Sequence, residues 1–205
     1  MLKKLLAVAL VLILTAGIAK AATPSYASDP VVKQAETYMK GFKSAKARFT
    51  QTAPDGSSAQ GTFYIKRPGK LRFEYDAPLE DFVVADGLFI YFYDATLEQQ
   101  SNAPIGQTLA DFILRDNIKM SGDVTVTAIS KTDDRVYIRM VQTADPQAGS
   151  ITLSFTREPF QLKSWQVMDS QGQATLIELS NLQSNVALPN SLFAYHDPKP
   201  KGLNQ

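Results

Sequence analysis

His196 is the only histidine in the sequence, and cysteine is absent. The side chains most often recruited for nucleophilic, acid–base or metal chemistry are therefore scarce. Cysteine nucleophiles and disulfides are excluded outright. A Ser-His-Asp arrangement would have to run through His196, which lies among the last ten residues beside Asp197 and Pro198. No G-x-S-x-G elbow, S-x-x-K pair, glycine-rich phosphate loop or His/Cys/Asp cluster at metal-ligand spacing occurs. The carboxylate pairs Glu80-Asp81 and Asp133-Asp134 sit next to turn positions, where solvated acids are ordinary. The reading is of a protein that is not an enzyme, with no metal and no cofactor. What it offers instead is apolar surface. Leu88-Phe89-Ile90-Tyr91-Phe92-Tyr93 sends large side chains to both sides of one strand. A dry core and an apolar ligand cavity use the same residue types, so both remain open at this level.

The elements that must position this surface are mostly strands. Asp29-Pro30 reads as an N-cap and first helical position, with Ala35, Tyr38, Met39 and Phe42 following at helical spacing. From Ala47 the period changes to two, most clearly at Lys70-Leu71-Arg72-Phe73-Glu74-Tyr75. It recurs at Thr62 to Ile65, Val124 to Ala128, Val136 to Met140, Ile151 to Phe155, Leu162 to Met168 and Ala174 to Leu182. Turn residues such as Pro54-Asp55-Gly56, Arg67-Pro68-Gly69 and Gln171-Gly172 separate the runs. Roughly ten short strands predict an antiparallel sheet that curls to bury its apolar face. Between Tyr93 and Val124, Ile105, Leu109, Phe112 and Ile113 return to helical spacing, opening after Pro104 and closing at Arg115-Asp116-Asn117. A second amphipathic helix inside a β meander needs something apolar to cover, which predicts a lid over the concave face.

The N-terminus predicts the compartment. Lys3 and Lys4 precede an apolar run from Leu5 to Ile18, followed by Ala19-Lys20-Ala21, the pattern of a Sec-type signal peptide over residues 1–21. The mature chain is expected to start at Ala22, a cut after Ala27 being the alternative, and residues 22–205 are expected to form a single domain. Removal of Lys3, Lys4 and Lys20 leaves a net charge of about −2. That balance argues against nucleic acid as a partner, since binding it relies on a surplus of cations to displace phosphate counterions.

The run Gly61-Thr62-Phe63-Tyr64-Ile65-Lys66-Arg67-Pro68-Gly69-Lys70-Leu71-Arg72-Phe73-Glu74-Tyr75-Asp76-Ala77-Pro78, followed by Val84-Ala85-Asp86-Gly87, Tyr93-Asp94 and Glu98-Gln99, resembles the LolA family of periplasmic carriers of outer-membrane lipoproteins. Ala47-Arg48-Phe49-Thr50-Gln51 resembles that family's first strand. The resemblance is strong over about residues 29–120; beyond that only strand count and spacing agree.

The resemblance implies an incomplete, unclosed antiparallel β-barrel covered by an α-helical lid, mainly β with helices. Its apolar cavity would take the acyl chains of lipoproteins. By motif position Arg67 corresponds to the arginine that latches the lid in the closed, empty form. A planar head with five donors suits such a role, because it can satisfy several carbonyls and release them. Leu71, Phe73 and Tyr75 fall on cavity-lining strand positions, Phe73 standing where the family usually has tryptophan. Ile90, Phe92, Met140 and Phe155 complete the expected cavity, and Leu109, Phe112 and Ile113 the lid. The implied partners are lipoproteins, an inner-membrane lipoprotein-releasing ABC transporter and an outer-membrane lipoprotein receptor. That receptor is itself lipidated through cysteine, so a chain without cysteine is expected to be the periplasmic shuttle, and a shuttle passing single cargo molecules works as a monomer. The alternative is a periplasmic binder or sensor of free phospholipid or glycolipid on the same fold.

Overall fold

In the computed structural model, which describes residues 26–108 and 110–198, the first helix is α1, Pro30–Lys40. The Asp29 carboxylate accepts the Val31 N–H at 2.8 Å. Pro30 occupies the first turn, where a missing N–H costs nothing. Val32, Ala35 and Met39 form the buried stripe of α1.

The strands are β1 Ser44–Thr52, β2 Ser58–Lys66, β3 Lys70–Tyr75, β4 Phe82–Asp86, β5 Phe89–Asp94 and β6 Gln99–Pro104. After the short helix α2, Ala110–Leu114, come β7 Val124–Lys131, β8 Arg135–Gln142, β9 Gly149–Arg157, β10 Phe160–Asp169 and β11 Ala174–Ser184. They make one antiparallel sheet in the order β6-β5-β4-β3-β2-β1-β11-β10-β9-β8-β7. Two meanders are joined by pairing of β1 with β11, which sets Phe49 opposite Leu179. β6 and β7 are the edges, so the barrel is unclosed. The register shifts once in each of β1, β7 and β10, and such bulges sharpen the coil of a sheet.

Alternation sends one set of side chains to the concave face. Ala47, Phe63, Phe73, Val83 and Phe92 stand in register across five strands. Ile177, Trp165, Leu153 and Ile138 do so across the other half. The opposite face is more polar, and there Arg48 pairs with Asp76, but it is covered in part: Val84 is buried and Tyr195 stacks on Tyr91. Gly61 is required by packing rather than by backbone angle, since a Cβ there would lie 2.7 Å from the Phe49 ring and run into the Glu74 carbonyl. Gly69 has φ +77° in the β2–β3 turn, a conformation that favours glycine.

Two elements differ from the sequence-based expectation. β6, Gln-Gln-Ser-Asn-Ala-Pro, carries no apolar alternation, because as an edge strand it is exposed along nearly its whole length. The expected second helix is broken. A 3₁₀ turn, Ile105–Gln107, ends at Thr108, whose backbone is extended (φ −118°, ψ 154°), and α2 is only five residues long. The Thr108 hydroxyl donates to the Ile105 carbonyl at 2.8 Å, a local bond that competes with helix continuation. The expected signal peptide over residues 1–21 lies outside the described residues, as does Leu109. Among the described residues no helix is long and apolar enough to cross a membrane.

Candidate functional site

The concave face and the two helices enclose a continuous apolar interior. Phe63 lies 4.9 Å from Phe73 and 5.5 Å from Trp165, centroid to centroid. Tyr38 of α1 meets Phe155 and Phe160 edge-on at 5.9 and 6.0 Å. From α2, Phe112 and Ile113 turn inward and are buried. The space left beneath the helices, bordered by Met39, Phe42, Phe63, Arg67, Ile113 and Trp165 among others, is about 20 Å³. That is room for about one water molecule. The interior is full beneath the covering elements.

The β2–β3 turn ties those elements down. Arg67 is 7% exposed. Its Nε donates to the Ile113 carbonyl at 2.8 Å, and its Nη1 to the carbonyls of Met39 at 2.5 Å and Phe42 at 3.1 Å. The guanidinium lies over the Phe42 ring, 4.5 Å from its centroid. The backbone adds two more ties, with the Gly69 N–H donating to the Leu114 carbonyl at 2.9 Å and the Arg67 N–H to the Lys43 carbonyl at 2.7 Å. One turn thus joins both helix ends to the sheet. Among the described residues no carboxylate touches the buried guanidinium. Burial pulls its pKa down to about 10, the charge of Asp116 acting in the opposite direction, and it stays cationic at neutral pH.

A second set of contacts, exposed or partly buried, holds the segment around α2. Lys43 pairs with Asp116 at 2.7 Å. Arg115 bonds Asp111 within α2 and Asp123 beyond it. The Met120 N–H donates to the Glu36 carboxylate at 2.6 Å, linking the segment after α2 to α1.

The residues expected from the sequence are distributed as follows. Leu71, Phe73, Ile90, Met140 and Phe155 are buried in the interior, as are Phe112 and Ile113 above it. Tyr75 is half-buried; its hydroxyl donates to Gln51 at 2.8 Å, and burial pushes its pKa up. Phe92 is 43% exposed. It shares the face of Ile90 but lies towards the uncovered end, in a separate open groove of about 480 Å³ with Leu79 and Leu97. His196 is exposed.

Sequence reasoning left out Met39, Phe42, Phe63 and Trp165 as lining residues, although the helical stripe carries the first two and strand alternation the others. Ile118 and Met120 are buried to within 1% in an irregular segment with no period that could have signalled it. Outside the arginine opens a cleft of about 610 Å³ bordered by Lys43, Ser44, Lys66 and residues 186–189. The site thus consists of a filled apolar interior, a cover tied to the sheet through Arg67, and an outer cleft bordered by two lysines.

The family model described as outer membrane lipoprotein carrier protein LolA matches residues 40–196. An outer-membrane lipoprotein carrier protein of Chromobacterium violaceum is 30% identical over 195 residues, 91% of this chain and 93% of that protein. One from Pseudomonas putida is 30% identical over 199 residues, 93% of each chain. Among solved structures, a LolA superfamily protein from Nitrosomonas europaea aligns with 80% of this chain and 97% of its own, with a TM-score of 0.43 and 10% identity.

Proposed function

The chain belongs to the LolA family of outer membrane lipoprotein carrier proteins, and from that premise we propose that it is a soluble periplasmic shuttle, freed of residues 1–21 on export. It takes lipoproteins by their acyl chains from an inner-membrane ABC release complex and passes them to an outer-membrane receptor. The observation that carries this reading is the filled apolar interior, about 20 Å³ of free space, beneath helices held by Arg67. It supports a carrier whose cover must withdraw before an acyl chain can enter.

Transport of this kind needs a gradient of affinity and no chemistry. Each buried CH₂ contributes about 0.8 kcal/mol, so a dozen carbons contribute about 10 kcal/mol. Opening the latch offsets part of that gain and keeps release possible. Incubation of the purified mature protein with spheroplasts making radiolabelled lipoproteins tests the proposal. Labelled lipoprotein should appear in the supernatant bound to the protein. Lipid without polypeptide in the bound fraction would favour a free-lipid binder instead.

A further inference from the structure

The three side-chain hydrogen bonds of Arg67 use Nε and Nη1 only. Nη2 is buried and has no acceptor among the described residues, although a buried cationic donor left unpaired is unfavourable. A water molecule is a poor substitute in the adjoining space. Its other lining side chains are apolar, while a buried water needs two to four polar partners.

The position of the group is as informative as its unused donor. Arg67 borders both the inner apolar chamber and the outer cleft with Lys43, Ser44 and Lys66. It stands where the closed apolar interior meets an open cleft, whose lining mixes Lys43, Ser44 and Lys66 with the apolar side chains of residues 186–189. An acyl chain is a hydrocarbon tail ending in a carbonyl oxygen. With the tail in the chamber, that oxygen falls where the two meet. Withdrawal of α2 removes Ile113 and frees Nε as well.

We infer that Arg67 is a ligand-binding residue in addition to a latch: its free Nη2 donates to the acyl carbonyl oxygen of the bound chain, whose head leaves through the Lys43–Lys66 cleft. The inference rests on the carrier reading and assigns the chemistry of the cargo head, an acyl ester or amide rather than bare hydrocarbon. Free fatty acid presents the same oxygen and is the other source of that chemistry.

The test is competitive displacement of a fluorescent lipid probe from the mature protein by 1-monopalmitoylglycerol, by its ether analogue 1-O-hexadecylglycerol, which lacks the carbonyl, and by palmitate. Wild type should prefer ester to ether by about tenfold or more, the range of a charge-assisted hydrogen bond. Arg67→Leu should bring the ratio to about one. Arg67→Lys, which keeps a cation but loses the planar fork, should fall between and serves where the leucine variant does not fold. Palmitate outcompeting both in wild type, with that advantage lost in Arg67→Leu, supports the site and identifies the source as free acid. An equal ester-to-ether ratio in wild type and variants, or uniform tightening of all probes in Arg67→Leu, overturns the inference and leaves a latch alone. Failure of wild type to bind any probe counts against the carrier reading itself, and the inference falls with it.

Discussion

Replacing Arg67 with leucine should loosen the cover without loosening the sheet. The wild-type side chain makes three charge-assisted hydrogen bonds, each worth about 1.5–3 kcal/mol. Against them stands the burial of the charge. A pKa pulled from 12.5 to about 10 corresponds to about 3 kcal/mol of desolvation, and the unpaired Nη2 adds roughly 1–3 kcal/mol. The difference is a latch of about 2 kcal/mol. Its loss shifts the opening equilibrium about 30-fold, at 1.4 kcal/mol per tenfold. In the variant the carbonyls of Met39, Phe42 and Ile113 are left without their donor while the lid is closed, and opening returns them to water. Amide hydrogen exchange reads this directly. The Gly69 amide, bonded to Leu114, and the Arg115 amide, bonded to Asp111, should exchange about 30 times faster. Amides in the β9–β10 ladder, such as those of Leu153 and Trp165, should hold their wild-type rates. Unchanged exchange at Gly69 would refute the latch. Equal acceleration in β9 and β10 would show that Arg67 supports the whole fold rather than the cover.

Two further outcomes follow from the same structure. Gly61→Ala places a methyl group against the Phe49 ring and the Glu74 carbonyl. Overpacking of this kind costs about 1–3 kcal/mol, so the thermal midpoint should fall by about 3–10 °C; a wild-type midpoint would mean that β1 and β2 separate freely. The Asp76 carboxyl is held below its ordinary pKa by its hydrogen bond from Arg48. A carboxyl lowered in the folded state contributes stability above its unfolded pKa and loses it as pH falls through the folded one. Arg48→Gln should therefore raise the Asp76 value towards 3.8 and weaken the pH dependence of stability in the acid range, which carboxyl NMR titration and acid unfolding would check. No movement of the titration would remove Arg48 as the cause.

Much of the architecture is written in period and punctuation. A strand with one buried and one wet face must alternate, so Leu71, Phe73 and Tyr75 mark a strand and its inner face without any knowledge of the rest. Asp29-Pro30 marks a helix start because local hydrogen bonding suffices to make one. Arg67 could be singled out because the motif around it is distinctive, and Phe63 and Trp165 were readable from the same alternation that carries their neighbours. β6 was not readable, because a strand exposed on both faces has no reason to alternate. The break at Thr108 was not readable either, since Ile105, Phe112 and Ile113 keep helical spacing while the hydroxyl between them takes a local bond.

Periodicity says which way a side chain faces, but not what comes to lie over it. Ile90 and Phe92 carry the same signal on the same face of β5, yet Ile90 is 3% exposed and Phe92 43%. Arg67 belongs to a turn in sequence and to the interior in space, because Met39, Phe42 and Ile113, 28, 25 and 46 residues away, bring their carbonyls to it. The sequence by itself determined a curled antiparallel sheet and a family motif centred on an arginine, and it predicts an export-type N-terminus. Tertiary structure alone decided that this arginine is buried, which carbonyls it holds and which donor it leaves free, because those depend on contacts between segments that no local pattern encodes.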